Sequence, residues 1–306
     1  MTQTQPYLSL VTPVHNGAAF IEQSVRKIVQ ALEQLDRDFE LIVVCDGSAD
    51  GTATRARAVG DPRVQVLRYE QNQGKGVAIT CGLAHARGRL VGWLDSDLDI
   101  DPGVIIDAAR RFERAPAVDA VIGSKRHPHS VVSYPMIRRI YSWGFQMFVR
   151  VLLRVNVRDT QVGAKLFRRE MLDTVVPLLL IKRYAYDLEL LAVGAEFGFD
   201  RIEEVPVRLD YRFSGSGIGN AEVRRMFVDT LAVAYRIHLR HWYVRRYAAL
   251  QRQREDARRQ AEVLTEDRIV PQAGVLDVTE ETPREVAHAG RPPRAGRRGQ
   301  AVPRVH

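Results

Sequence analysis

Cysteine is scarce in this sequence, and long apolar runs are missing. Two cysteines, Cys45 and Cys81, are spread over 306 residues. That excludes a disulfide framework and a zinc site built on thiolates. No stretch of about 18 apolar residues occurs, so no transmembrane helix is expected. The first residues, Met1 to Tyr7, lack a basic segment followed by an apolar one, and no secretory signal is expected. These absences favour a cytoplasmic protein. No internal repeat is evident. Acidic residues are the minority charge: 37 Asp and Glu stand against 45 Lys and Arg, a net charge of +8. An anionic partner is therefore admitted, whether nucleic acid, phosphorylated substrate or acidic membrane.

What is present is an alternation of short apolar runs and helical patterns. Leu8–Thr12, Phe39–Val44, Arg63–Leu67 and Arg89–Trp93 read as buried strands, with a further strand over Ala117–Gly123. Between them, apolar residues recur at helical spacing, as in Ile21, Val25, Ile28, Val29 and Leu32. The alternation predicts an α/β fold with a mainly parallel sheet flanked by helices. In such sheets ligands sit outside the carboxyl ends of the strands.

Polar residues fall at those ends. His15 and Asn16 follow the first strand, Asp46 the second, Gly74-Lys-Gly76 the third, and Asp95-Ser-Asp-Leu-Asp99 the fourth. Three carboxylates at a strand tip are hard oxygen ligands suited to Mg²⁺ or Mn²⁺. They are equally able to cap the helix that starts near Pro102. Sharing one rim with Asp46 and Lys75 favours the metal site, with Asp95, Asp97 and Asp99 as ligands. Lys75, between glycines at a helix start, suits a phosphate, although the spacing is not that of a Walker motif. Lys125 and Arg126, in the basic turn after the fifth strand, and Arg212 beside a Gly-rich loop are further phosphate partners. Asn16 and Ser96 complete a nucleotide-sugar-binding set. Asp187 and Glu189 stand on a predicted helix, where they either orient or deprotonate an acceptor or are plain exposed acids; Asp97 is the third catalytic candidate.

Two later segments mix aromatics, aliphatics and arginine: residues 134–153 and 222–250. Each reads either as a helix packed on the sheet with a solvated basic face or as an amphipathic helix on an anionic membrane surface. The predicted division is 1–221 for the sheet domain, 222–262 for basic amphipathic helices and 263–306 for a disordered tail rich in Pro, Gly and Arg.

Taken in order, Thr12-Pro-Val-His-Asn16, Val44-Cys-Asp-Gly-Ser-Ala-Asp-Gly-Thr52, Asn72-Gln-Gly-Lys-Gly-Val-Ala78 and Leu94-Asp-Ser-Asp97 resemble the family 2 glycosyltransferases of GT-A fold. The resemblance runs from about Leu8 to Gly219. Arg158-Asp-Thr-Gln-Val-Gly-Ala-Lys-Leu-Phe-Arg168, Tyr186-Asp-Leu-Glu-Leu-Leu191 and Glu204-Val-Pro-Val207 are similar to the dolichyl-phosphate glucosyltransferases, and the mannose synthases acting on the same lipid share most of this pattern. The resemblance implies transfer of a hexose, glucose before mannose, from UDP-glucose or GDP-mannose to a polyprenyl phosphate with inversion. It implies Pro13, His15, Val44 and Asp46 around the nucleotide, Asp95 and Asp97 at nucleotide and metal with Asp99 as a further ligand, and Arg212 facing the phosphates. It departs from the family at Gly17, His15, Cys45 and Ile218. A lipid acceptor further implies a peripheral enzyme on the inner membrane face, with a possible membrane-embedded partner subunit and no nucleic acid. Two other readings stand beside it: transfer to a polysaccharide or other soluble acceptor, and a non-enzymatic nucleotide- or RNA-binding module. The last lacks the interleaved aromatic and basic residues that single-strand binders use.

Overall fold

The computed structural model describes residues 5–132, 136–181, 185–209 and 220–266. Two compact units are delimited, Met1–Arg254 and Glu255–His306. In chain order the elements are β1 (Leu8–Val14), α1 (Ile21–Leu32), β2 (Phe39–Asp46), α2 (Thr52–Arg57), β3 (Val64–Tyr69), α3 (Lys75–His85), β4 (Leu90–Leu94), α4 (Gly103–Arg114), β5 (Ala120–Ser124), β6 (Val131–Val132) and α5 (Met136–Leu153). There follow β7 (Ala164–Arg168), α6 (Arg169–Val175), α7 (Tyr186–Glu196), β8 (Ile202–Pro206), β9 (Arg208–Leu209), α8 (Asn220–Ala234), a π-helical turn (Tyr235–Leu239) and α9 (Trp242–Glu266).

Seven strands form one sheet in the order β3-β2-β1-β4-β7-β5-β8. All neighbours are parallel except β7, which lies antiparallel between β4 and β5. The carboxyl ends of β4 and β5 therefore share a rim with the start of β7. Along the inner strands, successive side chains enter opposite cores, as strand geometry requires. Leu41, Val43 and Cys45 join α1, α2 and α4 on one face, whereas Ile42 and Val44 join α3 on the other. Burial on both faces explains why these strands read as unbroken apolar runs. Pro206 falls on β8, the sheet edge, where its missing donor is harmless.

The division expected at residue 221 is corrected. Val233, Ala234, Ile237 and Tyr243 are buried in the same core as α3, α5 and α7. Phe227 packs against Phe145 and Phe148 with ring centroids 5.2 Å away in each case, and the His238 Nε2–H donates to the Leu152 carbonyl at 2.8 Å. The first unit thus extends to Arg254, because one side of the basic segment is used up in covering α5 and α7. The expected disordered tail lies almost wholly outside the described residues. Cys45 is buried and Cys81 half-buried, both as free thiols.

Candidate active site

The rim is built by three loops latched to one another. Gly17 N–H donates to Thr52 Oγ1 at 2.9 Å, Ala18 N–H to Asp50 Oδ2 at 2.9 Å, and Asn16 N–H to Ser48 Oγ at 3.0 Å. These bonds bind the loop after β1 to the loop after β2. His15 Nδ1–H donates to the Asp46 carbonyl at 2.6 Å, which leaves Nε2 to accept from the Asn16 amide at 3.2 Å. Both ring nitrogens are engaged, and the ring stays exposed.

Asp46 braces the third loop. Its Oδ1 accepts from Gln73 N–H at 2.7 Å and its Oδ2 from Gly74 N–H at 2.9 Å. Gly47 makes this possible: it has φ +61°, and a Cβ there would run into the Asn72 backbone. At 4% exposure Asp46 is a structural clasp on the loop that carries Lys75. Val44, also expected around the nucleotide, lies deeper still. It is fully buried beneath Ala78, Ile79 and Leu83 of α3 and offers the rim no surface. Pro13 is half-buried at the end of β1.

The clasp presents Lys75 as the first residue of α3, and Lys75 Nζ meets Asp95 Oδ1 at 2.6 Å. Asp95 follows β4; its N–H donates to the Gly163 carbonyl at 2.9 Å. A Cβ at residue 163 would collide with the Asp95 carboxylate, so only glycine lets Asp95 settle there. Desolvation opposes the charge on Lys75, yet the Asp95 and Asp187 carboxylates outweigh it and raise its pKa. The Asp97 carboxyl is pushed up to about 6, by desolvation first and by the Asp95 charge second. Two neighbouring carboxylates, one of them poorly solvated, are an environment that a divalent cation relieves.

The capping alternative is resolved by a different residue. Asp101 Oδ1 accepts from Gly103 N–H at 2.8 Å and holds the start of α4. Asp95 and Asp97 are thereby left for the rim. At Asp99 the chain has turned at Leu98 (φ +58°), and Asp99 N–H bonds back to Asp97 Oδ1 at 3.1 Å; among the described residues no three acidic, His or Cys side chains converge as a metal site. Ser96 is buried. Lys125 is held by Asp159, with Nζ at 3.9 Å from Oδ2. Arg126 is half-buried, its N–H donating to Ser124 Oγ at 3.3 Å. Arg212 lies outside the described residues.

Neither Asp187 nor Glu189 of α7 is exposed. Glu189 is fully buried and accepts from Leu180 N–H at 2.9 Å, Ile181 N–H at 2.8 Å and the Tyr243 hydroxyl at 2.6 Å, with Arg236 at 3.5 Å. Its expected role as a base is corrected: every oxygen is spoken for, and no substrate reaches it. Asp187 is 6% exposed; its Oδ2 pairs with Lys165 Nζ at 3.1 Å, and its Oδ1 has no hydrogen-bond partner. Lys165, fully buried on β7, also lies over the Trp93 ring, which stacks on Phe167 at 5.1 Å. Lys165 and Gly163 were missed at the level of sequence. One signal was present: Lys165 is a lone charge in the apolar run Ala164-Lys-Leu-Phe167, and a charge there must be paired.

This architecture is that of the GT-A glycosyltransferases. Glucosyl-3-phosphoglycerate synthase from Mycobacterium tuberculosis, solved with Mn²⁺, uridine diphosphate and glucosyl-3-phosphoglycerate, superposes with a TM-score of 0.58 over 75% of this chain and 79% of that one; at 23% identity the likeness is one of fold. The same enzyme was solved with Mg²⁺ and uridine diphosphate, at a TM-score of 0.55. Residues 9–176 match the model of glycosyl transferase family 2, and the chain belongs to that family. Among its relatives is a dolichyl-phosphate beta-glucosyltransferase of Dictyostelium discoideum, 29% identical over 66% of this chain. Another, from Trichomonas vaginalis, is 26% identical over 79% of this chain and 75% of its own length. The matched region spans just under two thirds, 65%, of the Dictyostelium enzyme.

Proposed function

We propose that this glycosyltransferase moves a hexose, glucose in the first instance, from a nucleotide sugar to a polyprenyl phosphate. The observation that carries the reading is the Lys75–Asp95 contact beside Asp97, at the carboxyl end of the sheet's central strand. Asp95 and Asp97 would hold Mg²⁺ or Mn²⁺ together with diphosphate oxygens of the donor. Bound there, the ion would neutralise charge that develops on the departing nucleoside diphosphate. Lys75, at the start of α3, would pair with the same diphosphate. An oxygen of the acceptor phosphate attacks the anomeric carbon from the opposite side, the bond to the diphosphate breaks, and the configuration inverts. The acceptor is already anionic and surrenders no proton.

That last point favours a phosphate acceptor over a hydroxyl. A sugar hydroxyl needs a base within reach, and Glu189 is fully enclosed while Asp187 is buried at 6% exposure. The relatives from Dictyostelium and Trichomonas, named for dolichyl phosphate and glucose, support the same choice.

A lipid acceptor calls for a membrane-facing surface, and α5 and α8 supply a candidate. Val151 (76% exposed) of α5, Val228 and Leu231 of α8, and Tyr235 and Leu239 (73%) of the π-helical turn that continues α8 stand in solvent, and α5 packs beside α8; Arg150, Arg154, Arg224, Arg225 and Arg240 are exposed on the same segments. Apolar residues bordered by arginine fit an anionic bilayer surface. Among the described residues no helix is long and apolar enough to cross a membrane. A panel of labelled UDP-glucose, GDP-mannose and related donors, with and without polyprenyl phosphate and with Mg²⁺ or Mn²⁺, tests the proposal. Label extracted into organic solvent only when the lipid is present supports it. Transfer that persists without lipid moves the assignment to a soluble acceptor.

A further inference from the structure

Lys75 and a divalent ion compete for the same oxygen. Lys75 Nζ stands 2.6 Å from Asp95 Oδ1. The backbone of Asp95 is fixed by its N–H bond to the Gly163 carbonyl, and its carboxylate lies over Gly163. An ammonium and a dication cannot both occupy one side of one carboxylate oxygen without strong mutual repulsion. Lys75 can leave. Its backbone is clamped by the Asp46 clasp on Gln73 and Gly74, but four rotatable bonds separate the ammonium from that backbone and its side chain is a third exposed.

A second acceptor is already in place. Asp187 is buried, and one of its two oxygens has no partner. An unsatisfied carboxylate oxygen at such depth is uncommon and calls for an explanation. Lys165 accounts for the other oxygen only. The helices that carry the two residues touch: Thr80 Oγ1 of α3 donates to the hydroxyl of Tyr186, the neighbour of Asp187 on α7, at 3.2 Å, and the Asp187 charge acts on Lys75.

We propose that Lys75 is a resident cation of Asp95 which a divalent metal ion must displace, and that Asp187 is the partner to which Lys75 turns when displaced. The inference rests on the reading of Asp95 and Asp97 as the metal-binding pair. Its consequence is an order of loading. Metal alone meets Lys75 and binds weakly. A nucleoside diphosphate brings charge enough for both cations, so that metal and nucleotide bind cooperatively. Asp187 is then a positioning residue, acting through Lys75 rather than on the sugar.

The test is binding of Mn²⁺, followed by its electron paramagnetic resonance, with no donor sugar and no turnover. In Lys75→Met, Mn²⁺ alone should bind at least tenfold more tightly than in the natural protein, and the enhancement by UDP should shrink. In Asp187→Asn, Mn²⁺ alone should bind several-fold more weakly. In the Lys75→Met, Asp187→Asn double variant that last loss should vanish. A direct field of Asp187 on the metal would leave it intact, and that result overturns the role given to Asp187. Mn²⁺ affinity unchanged or weakened in Lys75→Met, with Mn²⁺–UDP binding preserved, overturns the displacement while the metal reading stands. Absence of Mn²⁺ binding in the presence of UDP overturns both. Should Asp187→Asn not fold, Asp187→Asn combined with Lys165→Met, which strands no buried charge, is read in its place, with the same loss of Mn²⁺ affinity expected and its absence overturning the role of Asp187.

Discussion

Tyr243 and Glu189 meet inside the protein, where the Tyr243 hydroxyl donates to Glu189 Oε1 at 2.6 Å. The bond joins α9 to α7 and makes the carboxyl-terminal helices part of the catalytic unit. Removing the hydroxyl leaves a buried carboxylate short of one donor, at a cost of about 2 kcal/mol. Tyr243→Phe should therefore lower the urea midpoint while the transfer rate per folded molecule stays near that of the natural protein. A chain ended at residue 221 should fail to fold, because it lacks Val233, Ile237 and Tyr243. One ended at residue 254 should keep its fold, as circular dichroism would show.

The two carboxylates of the rim should separate from the third. Asp95→Asn and Asp97→Asn are each expected to cut transfer by about a hundredfold or more, the scale of losing an electrostatic contact to the leaving group. Asp99→Asn should cost less than about tenfold. Initial rates with saturating Mn²⁺ check this, and chelation by EDTA should abolish transfer until the ion is restored.

Lys165 and Asp187 form a buried ion pair, with side-chain exposures of 0% and 8%. Losing one partner strands the other charge, at about 3–5 kcal/mol. Lys165→Met should thus be strongly destabilised. Pairing it with Asp187→Leu should recover much of the loss, and a double-mutant cycle on thermal unfolding measures the difference.

At the opposite end of the sheet, Glu40 accepts from Ser9 Oγ at 2.6 Å and from Arg87 Nη2 at 2.7 Å. Burial pushes its pKa up, but these donors outweigh it and hold the carboxyl below the ordinary range. A carboxylate depressed in the folded state stabilises above its unfolded pKa, near about 4.3, and loses that contribution as pH falls through the folded value. Glu40→Gln should cost about 1–2 kcal/mol at pH 7. The gap should narrow below pH 4, read from urea midpoints at both pH values.

If α5, α8 and the π-helical turn after it meet the bilayer, Val151→Glu with Leu239→Glu should weaken sedimentation with anionic vesicles by about tenfold or more. The loss follows from withdrawing two apolar side chains and adding two charges that the lipid repels. Transfer to a short, water-soluble polyprenyl phosphate should be spared.

By itself the sequence determined the sheet's elements and the rim. Strand period, helical spacing and Gly-rich turns are local properties, so β1 to β4 and the polar residues after them were legible, as was Pro206 as an edge marker. Which residues meet was decided only by tertiary packing. The antiparallel insertion of β7 beside β4 brings Gly163 against Asp95 and Lys165 near Trp93, a pairing no local pattern encodes. Asp46, Asp97 and Glu189 are chemically alike in a sequence. Long-range hydrogen bonding made the first a clasp and the last a buried strut, and left Asp97 beside Asp95 at the mouth of the site. The helices after residue 220 advertise amphipathicity, which any apolar surface can satisfy. The exposed sides of α5 and α7 were the surface that claimed one face of them.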